Sequence, residues 1–169
     1  MTPYAGLLII GLTVLVQSSV MPAASLGATK PLLPLLVVVS WGLLRGPMAG
    51  AWWALAAGLM MDVLSPSPML FYTLPMLAVA GIVALGRGRL FPSNLLMPWL
   101  VVCAATAAFV LAQRALLPLV GGLVTWRPEA VAREVLLELA LNALWLPVVY
   151  VPLRSLERRV RRPRIEWEN

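Results

Sequence analysis

Residues 42–68 read GLLRGPMAGAWWALAAGLMMDVLSPSP, and the fold class follows from this stretch. Two breaks, Arg45-Gly46-Pro47 and Ser65-Pro66-Ser67-Pro68, bracket an apolar run from about Met48 to Leu64. Proline removes a backbone donor and glycine relaxes the chain, so helices start and stop at such points. Between the breaks the one ionisable residue is Asp62. A run of this size approaches the roughly 20 apolar residues that a membrane-crossing helix needs.

The same pattern extends in both directions. Apolar segments run from about Pro3 to Met21, Leu32 to Leu44, Met48 to Leu64, Met69 to Leu85, Leu95 to Leu119 and Ala130 to Pro152. Residues 24–31, 65–68, 87–89 and 121–128 carry the turn-forming or charged residues between them. Of the 169 residues, 61% are hydrophobic and 12% are charged, against roughly 25% charged in a water-soluble domain. A soluble fold of this length has too little interior to hide that much apolar surface. The expected architecture is an all-α integral membrane protein, a bundle of six transmembrane helices spanning residues 1–153, followed by a basic cytoplasmic tail over 154–169. The second segment is the weak member: thirteen residues cover only about 20 Å as a helix. The first segment has the small residues of a signal cleavage site at Pro22 to Ser25, but no Lys or Arg precedes it, so it reads as a retained span.

Basic residues set the expected orientation, because cytoplasmic loops carry the excess of Lys and Arg. With both termini cytoplasmic, the inner side holds Arg45, Arg87, Arg89 and six tail arginines, nine in all, and the outer side holds Lys30, Arg114, Arg127 and Arg133. The opposite orientation reverses this bias. Five of the tail arginines, Arg154, Arg158, Arg159, Arg161 and Arg162, fall on a short segment with Leu156 and Val160 four residues apart. Such a segment suits the anionic inner membrane surface.

Three sets of residues stand out as candidate contacts. Gly46, Gly50, Ala54, Gly58 and Asp62 recur every four residues, which on a helix makes one ridge of small residues ending in an acid. Such ridges let helices in lipid approach closely, either within this chain or against a partner's helix. Asp62, some 25 Å beyond Arg45, would cap or pair near Ser65 and Ser67, or bind a small polar ligand. Glu134, Glu138 and Asn142 form a second four-residue stripe on segment six, and Arg114 lies near the outer end of segment five. Charges facing lipid are costly, so this outer polar cluster should face protein, with Arg114 paired to Glu138 or, second, to Asp62.

Enzyme chemistry finds little support. The chain has no histidine and one aspartate, which removes the residue sets of intramembrane aspartyl, serine and metal-dependent proteases. There is no phosphate-binding glycine loop. Cys103 is the single cysteine, so no internal disulfide can form. No catalytic, metal or cofactor site and no nucleic-acid partner is expected. The seven tryptophans read as interfacial anchors and packing groups.

Gly42-Leu43-Leu44-Arg45-Gly46, Gly50, and Gly58-Leu59-Met60-Met61-Asp62-Val63-Leu64-Ser65-Pro66 resemble the signature of the MreD family of rod-shape-determining membrane proteins. Gly81 followed by Arg87 fits the same pattern. Two departures stand out: Lys30-Pro31-Leu32 lacks the family's acid before segment two, and Pro68-Met69-Leu70 lacks its glycine after the Ser-Pro turn. The resemblance implies a non-enzymatic role in bacterial cell-wall elongation. It implies an MreC-like bitopic partner, with RodA, a class B penicillin-binding transpeptidase and MreB nearby. The family also resembles the six-helix substrate-binding subunits of energy-coupling-factor transporters, which makes such a subunit the alternative reading. Those subunits often carry Ala-x-x-x-Ala on the first helix; here Ala5 is followed four residues on by Ile9, and the one match, Ala24 to Ala28, falls in a loop.

Overall fold

The computed structural model describes residues 3–19, 30–89, 97–120 and 127–160. Its six α-helices are α1 (Pro3–Ser19), α2 (Leu33–Arg45), α3 (Pro47–Leu64), α4 (Thr73–Arg89), α5 (Met97–Leu116) and α6 (Pro128–Val160), with one 3₁₀ turn, Leu117–Val120, closing α5. The described residues contain no strand. Three stretches are long and apolar enough to cross a membrane: Pro47–Leu64, Met97–Leu119 and Pro128–Arg158. The other three helices are apolar but shorter.

The shortest helix is the centre of the molecule. Every residue from Leu33 to Gly42 is buried, and α2 touches each of the other five helices. A helix that is apolar on all sides is stable only when surrounded, and LPLLVVVSWGLLR has no polar face to show a solvent. The remaining helices pack around it in the order α1, α3, α4, α5, α6, each against the next. The ring stays open between α6 and α1, which do not meet among the described residues. The core built on this post includes Leu35, Leu36, Val38, Val39, Ala54, Met76, Val83, Val102, Phe109 and Leu146.

One residue turns the chain from α2 into α3. Gly46 has φ 118°, a conformation that L side chains rarely adopt. Its N–H donates to the Gly42 carbonyl at 2.9 Å, and its own carbonyl accepts from Gly50 N–H at 3.0 Å. Pro47 then occupies the first turn of α3, where a missing N–H costs nothing. Past this turn the two helices lie so close that a Cβ on Gly50 would sit 3.0 Å from the Gly42 Cα. Trp41 and Trp53 stack at 4.7 Å across the same hairpin, and the Arg45 guanidinium lies 5.3 Å from the Trp41 ring centre.

Two element boundaries differ from those expected. Segment four begins as a helix at Thr73, not Met69, because residues 69–72 form a turn. Segment six starts at Pro128 and continues without a break to Val160, across Pro147 and Pro152. At 33 residues it is about 50 Å long, so the step from apolar residues to arginines at 153–154 is a change of chemistry along one helix.

Candidate functional site

The small-residue ridge of α3 is filled from within the chain. Gly50 faces Gly42 of α2, Ala54 is fully buried, and a Cβ on Gly58 would fall 2.5 Å from the Thr73 Cα at the start of α4. Glycine at these positions lets three backbones approach closely, which is how helices gain contact in lipid. The ridge ends in Asp62, which is 4% exposed. Its carboxylate accepts from Leu70 N–H at 2.9 Å, Tyr72 N–H at 2.7 Å, Thr73 N–H at 3.2 Å and the Thr73 hydroxyl at 2.6 Å. Asp62 therefore ties the end of α3 to the first turn of α4, where free N–H groups and the positive end of the helix dipole favour an anion. Ser65 and Ser67 bond to each other at 2.5 Å instead of to Asp62. With both oxygens engaged in this turn, the expected second-choice pair of Asp62 with Arg114 is replaced.

The turn itself is strained at one residue. Leu70 has φ 73°, the one non-glycine residue with a positive φ among those described. It stands where the resemblance noted a missing glycine. A leucine held left-handed costs about 1–2 kcal/mol, and the hydrogen bond from its N–H to Asp62 helps to hold it there.

The buried start of α2 requires its own partners. Helix N-termini leave N–H groups unpaired, and a buried unpaired donor costs about 1–3 kcal/mol. Leu32 N–H donates to Asn142 Oδ1 of α6 at 2.8 Å, and Leu33 N–H donates to Gln17 Oε1 of α1 at 2.9 Å. Pro34 has no N–H to satisfy. Asn142 Nδ2 in turn donates to Thr106 Oγ1 of α5 at 3.0 Å. Four helices thus meet through amides and a hydroxyl around one helix end. At the opposite end Arg45 and Glu157 approach to 4.0 Å. The two contacts show that α2 and α6 run in the same direction and that α2 accompanies only the second half of α6. The first half of α6, about 20 Å from Pro128 to Asn142, rises beyond the start of α2.

On that first half, Arg114 pairs with Glu134. The expected Arg114–Glu138 pair is not formed; Glu134, one turn nearer the start of α6, is the residue that meets the end of α5. Glu138 keeps one carboxylate oxygen, Oε2, buried without a hydrogen-bond partner among the described residues, close enough to Lys30, Arg114 and Glu134 to feel their charges. The stripe therefore divides in function: Glu134 binds α5, Asn142 caps α2, and Glu138 lies between them. Of the tail residues, Arg154 and Arg158 are exposed on the last turns of α6. Arg159 lies on the same helix, and Arg161 and Arg162 fall outside the described residues.

No group of histidine, cysteine or acidic side chains suited to a metal ion occurs among the described residues. A recess of about 190 Å³ opens beside Gln17, Lys30, Ser65 and Tyr72.

The family model for the rod shape-determining protein MreD matches residues 3–160 of the chain. The chain belongs to the MreD family. This places it among membrane proteins that determine rod shape, and the ridge from Gly46 to Asp62 is the interior of this MreD protein. No curated protein and no solved structure matched it. Three residues that hold the MreD fold together, Gln17, Thr73 and Thr106, had no sequence signal. Each is an uncharged polar residue in a mainly apolar helix, and only the rarity of polar residues at membrane depth could have marked them.

Proposed function

We propose that this MreD protein is a non-enzymatic, multi-pass scaffold of the inner (plasma) membrane that supports peptidoglycan synthesis during cell elongation. All six helices cross or line the membrane, with both termini cytoplasmic. The paired ends of α2 and α6, with Arg45, Glu157, Arg154 and Arg158, face the cytoplasm, and the Arg114–Glu134 end faces outward. Its direct partner is an MreC-like bitopic protein, with RodA, a class B penicillin-binding transpeptidase and MreB as further members of the assembly.

The observation that carries this reading, beyond family membership, is the state of α6. Only 11% of its apolar window is buried, against 33% for α3 and α5. Its outer half exposes Leu136 and Leu137. A single helix from a partner with an extracytoplasmic body would cover those leucines. The α3 ridge, the other candidate surface, is already used inside the chain.

The transporter alternative is weakened by the lining of the available space. The recess beside Gln17, which carries polar side chains, is about 190 Å³, below the roughly 300–1,000 Å³ of small-molecule pockets, and the larger space of about 500 Å³ along α1, α2 and α6 is lined almost wholly by apolar residues. A pull-down in mild detergent separates the two. Recovery of an MreC-like bitopic protein is the expected result, and recovery of an ATPase module or a co-purifying vitamin would overturn the scaffold reading.

A further inference from the structure

The turn between α3 and α4, residues 65–72, carries no charged side chain. Val63 and Leu64 at its foot and Met69 and Leu70 at its tip are exposed, Met69 at 73%. A contiguous exposed apolar patch marks contact with a protein or with the membrane.

The backbone of the turn is closed on itself. Pro66 and Pro68 have no N–H to satisfy. Ser67 N–H donates to Ser65 Oγ and Phe71 N–H to the Pro68 carbonyl, each at 3.3 Å. The N–H groups of Leu70, Tyr72 and Thr73 all donate to Asp62. Of residues 66–73, Met69 at the tip is the one whose N–H takes no partner among the described residues. Where water is scarce an unpaired backbone group costs several kcal/mol, so this closure suits a turn that lies below the water surface.

Helix length places the turn at that depth. α3 has 18 residues and α4 has 17, about 27 and 26 Å, against a hydrocarbon core of about 30 Å. α3 begins next to Arg45, whose charge marks the inner edge of that core. Its far end therefore stops short of the outer edge, and any tilt lowers it further. α6 differs: Glu134 and Arg154 are twenty residues apart, about 30 Å, so the Arg114–Glu134 end reaches the outer edge.

We infer that the α3–α4 turn is a lipid-contact surface embedded where headgroups meet acyl chains, with Val63, Leu64, Met69 and Leu70 against the chains. This rests on the spanning arrangement proposed above, which makes that leaflet the outer one. The contact is lipid because the turn has almost nothing polar to fix a protein partner. Ser65 and Ser67 bond to each other, and the Asp62 carboxylate is engaged by four donors. Specific protein interfaces carry a polar rim of directional hydrogen bonds. The side-chain hydroxyl left over belongs to Tyr72, a residue type favoured at membrane interfaces. Leu70 fits the same account. In water a half-exposed leucine held left-handed gains little for its strain, whereas among acyl chains its side chain is out of water.

The test uses the purified full chain in liposomes of phosphatidylethanolamine and phosphatidylglycerol. Cys103→Ala removes the single cysteine, and a nitroxide is attached at Met69→Cys, Leu144→Cys or Glu129→Cys. Leu144, exposed in the apolar stretch of α6, is the lipid reference, and Glu129, exposed in the first turn of α6, is the water reference. Collisions with oxygen, which concentrates among acyl chains, are compared with collisions with a water-soluble nickel chelate. The oxygen-to-nickel ratio at position 69 is expected to be several-fold above that at 129 and closer to that at 144. A ratio equal to that at 129, or few collisions with either reagent, would overturn the inference. A photoreactive residue at position 69 in native membranes gives an independent reading: an adduct of phospholipid mass supports the lipid contact, and an adduct of protein mass overturns it. Collision ratios in liposomes do not depend on orientation, so they test the embedding alone. Labelling of Glu129→Cys by an impermeant thiol reagent only from the cytoplasmic side would instead overturn the spanning arrangement and the leaflet assignment with it.

Discussion

Replacing Asp62 by alanine should destabilise the protein by about 3 kcal/mol. Its carboxylate accepts three backbone N–H groups and one hydroxyl. The Thr73 hydroxyl can rotate to another acceptor, but the N–H groups of Leu70, Tyr72 and Thr73 are fixed by the turn. Each buried donor left unpaired costs about 1–3 kcal/mol, and the bonds from Leu70 and Tyr72 are only part-buried, so about 1 kcal/mol for each of the three is the fitting scale. Asp62→Asn should cost less, about 1–2 kcal/mol. An amide oxygen in place of Oδ2 keeps the three bonds from Leu70 and Thr73, and its NH₂ then opposes only Tyr72 N–H. Thr73→Val should cost about 1 kcal/mol or less. The assay is the unfolding midpoint of the purified protein in detergent, and the expected ranking of loss is alanine above asparagine above Thr73→Val. If Asp62→Ala and Asp62→Asn both unfold with wild type while partner recovery is lost, Asp62 is a contact residue and the capping account is wrong.

Other substitutions probe the remaining polar contacts. Leu70→Gly should raise stability by about 1 kcal/mol in the same unfolding assay, because it relieves a left-handed leucine at some cost in unfolded-chain entropy; a loss of stability would mean that the side chain contributes more than the strain costs. Asn142→Ala removes the acceptor for Leu32 N–H and should cost about 1–3 kcal/mol, and Thr106→Val should couple to it in a double-mutant cycle, since the two side chains are bonded. Arg114→Ala and Glu134→Ala should be non-additive by about 0.5–1 kcal/mol, the range for partly exposed ion pairs, while Arg114→Ala with Glu138→Ala should show the weaker coupling; the reverse order would restore the Arg114–Glu138 pair.

Much of the helical architecture was legible because the breaks are written in proline and glycine. Arg45-Gly46-Pro47 marks the α2–α3 turn and Ser65-Pro66 the end of α3, and both fall where expected. The start of α4 was not legible, because Met69 to Tyr72 is apolar and reads as helix, whereas Asp62 captures those residues in a turn from ten positions away. The place of α2 was also hidden. Its shortness read as a weakness for crossing a membrane, yet a short helix can be the best-packed one when five neighbours surround it. The caps that make this possible, Gln17 and Asn142, come from helices 16 and 110 positions away in the chain, beyond the reach of local patterns. In the outer cluster, Glu134 and Asn142 of the four-residue stripe bond within the chain, but helix spacing alone could not choose between Glu134 and Glu138 as the partner of Arg114.

The central claim is that the outer half of α6 holds an MreC-like bitopic partner. Photo-crosslinking in native membranes from Leu136 on α6, compared with Val63 at the far end of α3, tests it most directly, since both side chains are exposed. The account predicts an adduct with the bitopic protein from position 136 and none from position 63. An adduct from position 63 alone, or an ATPase subunit captured at either position, would contradict it.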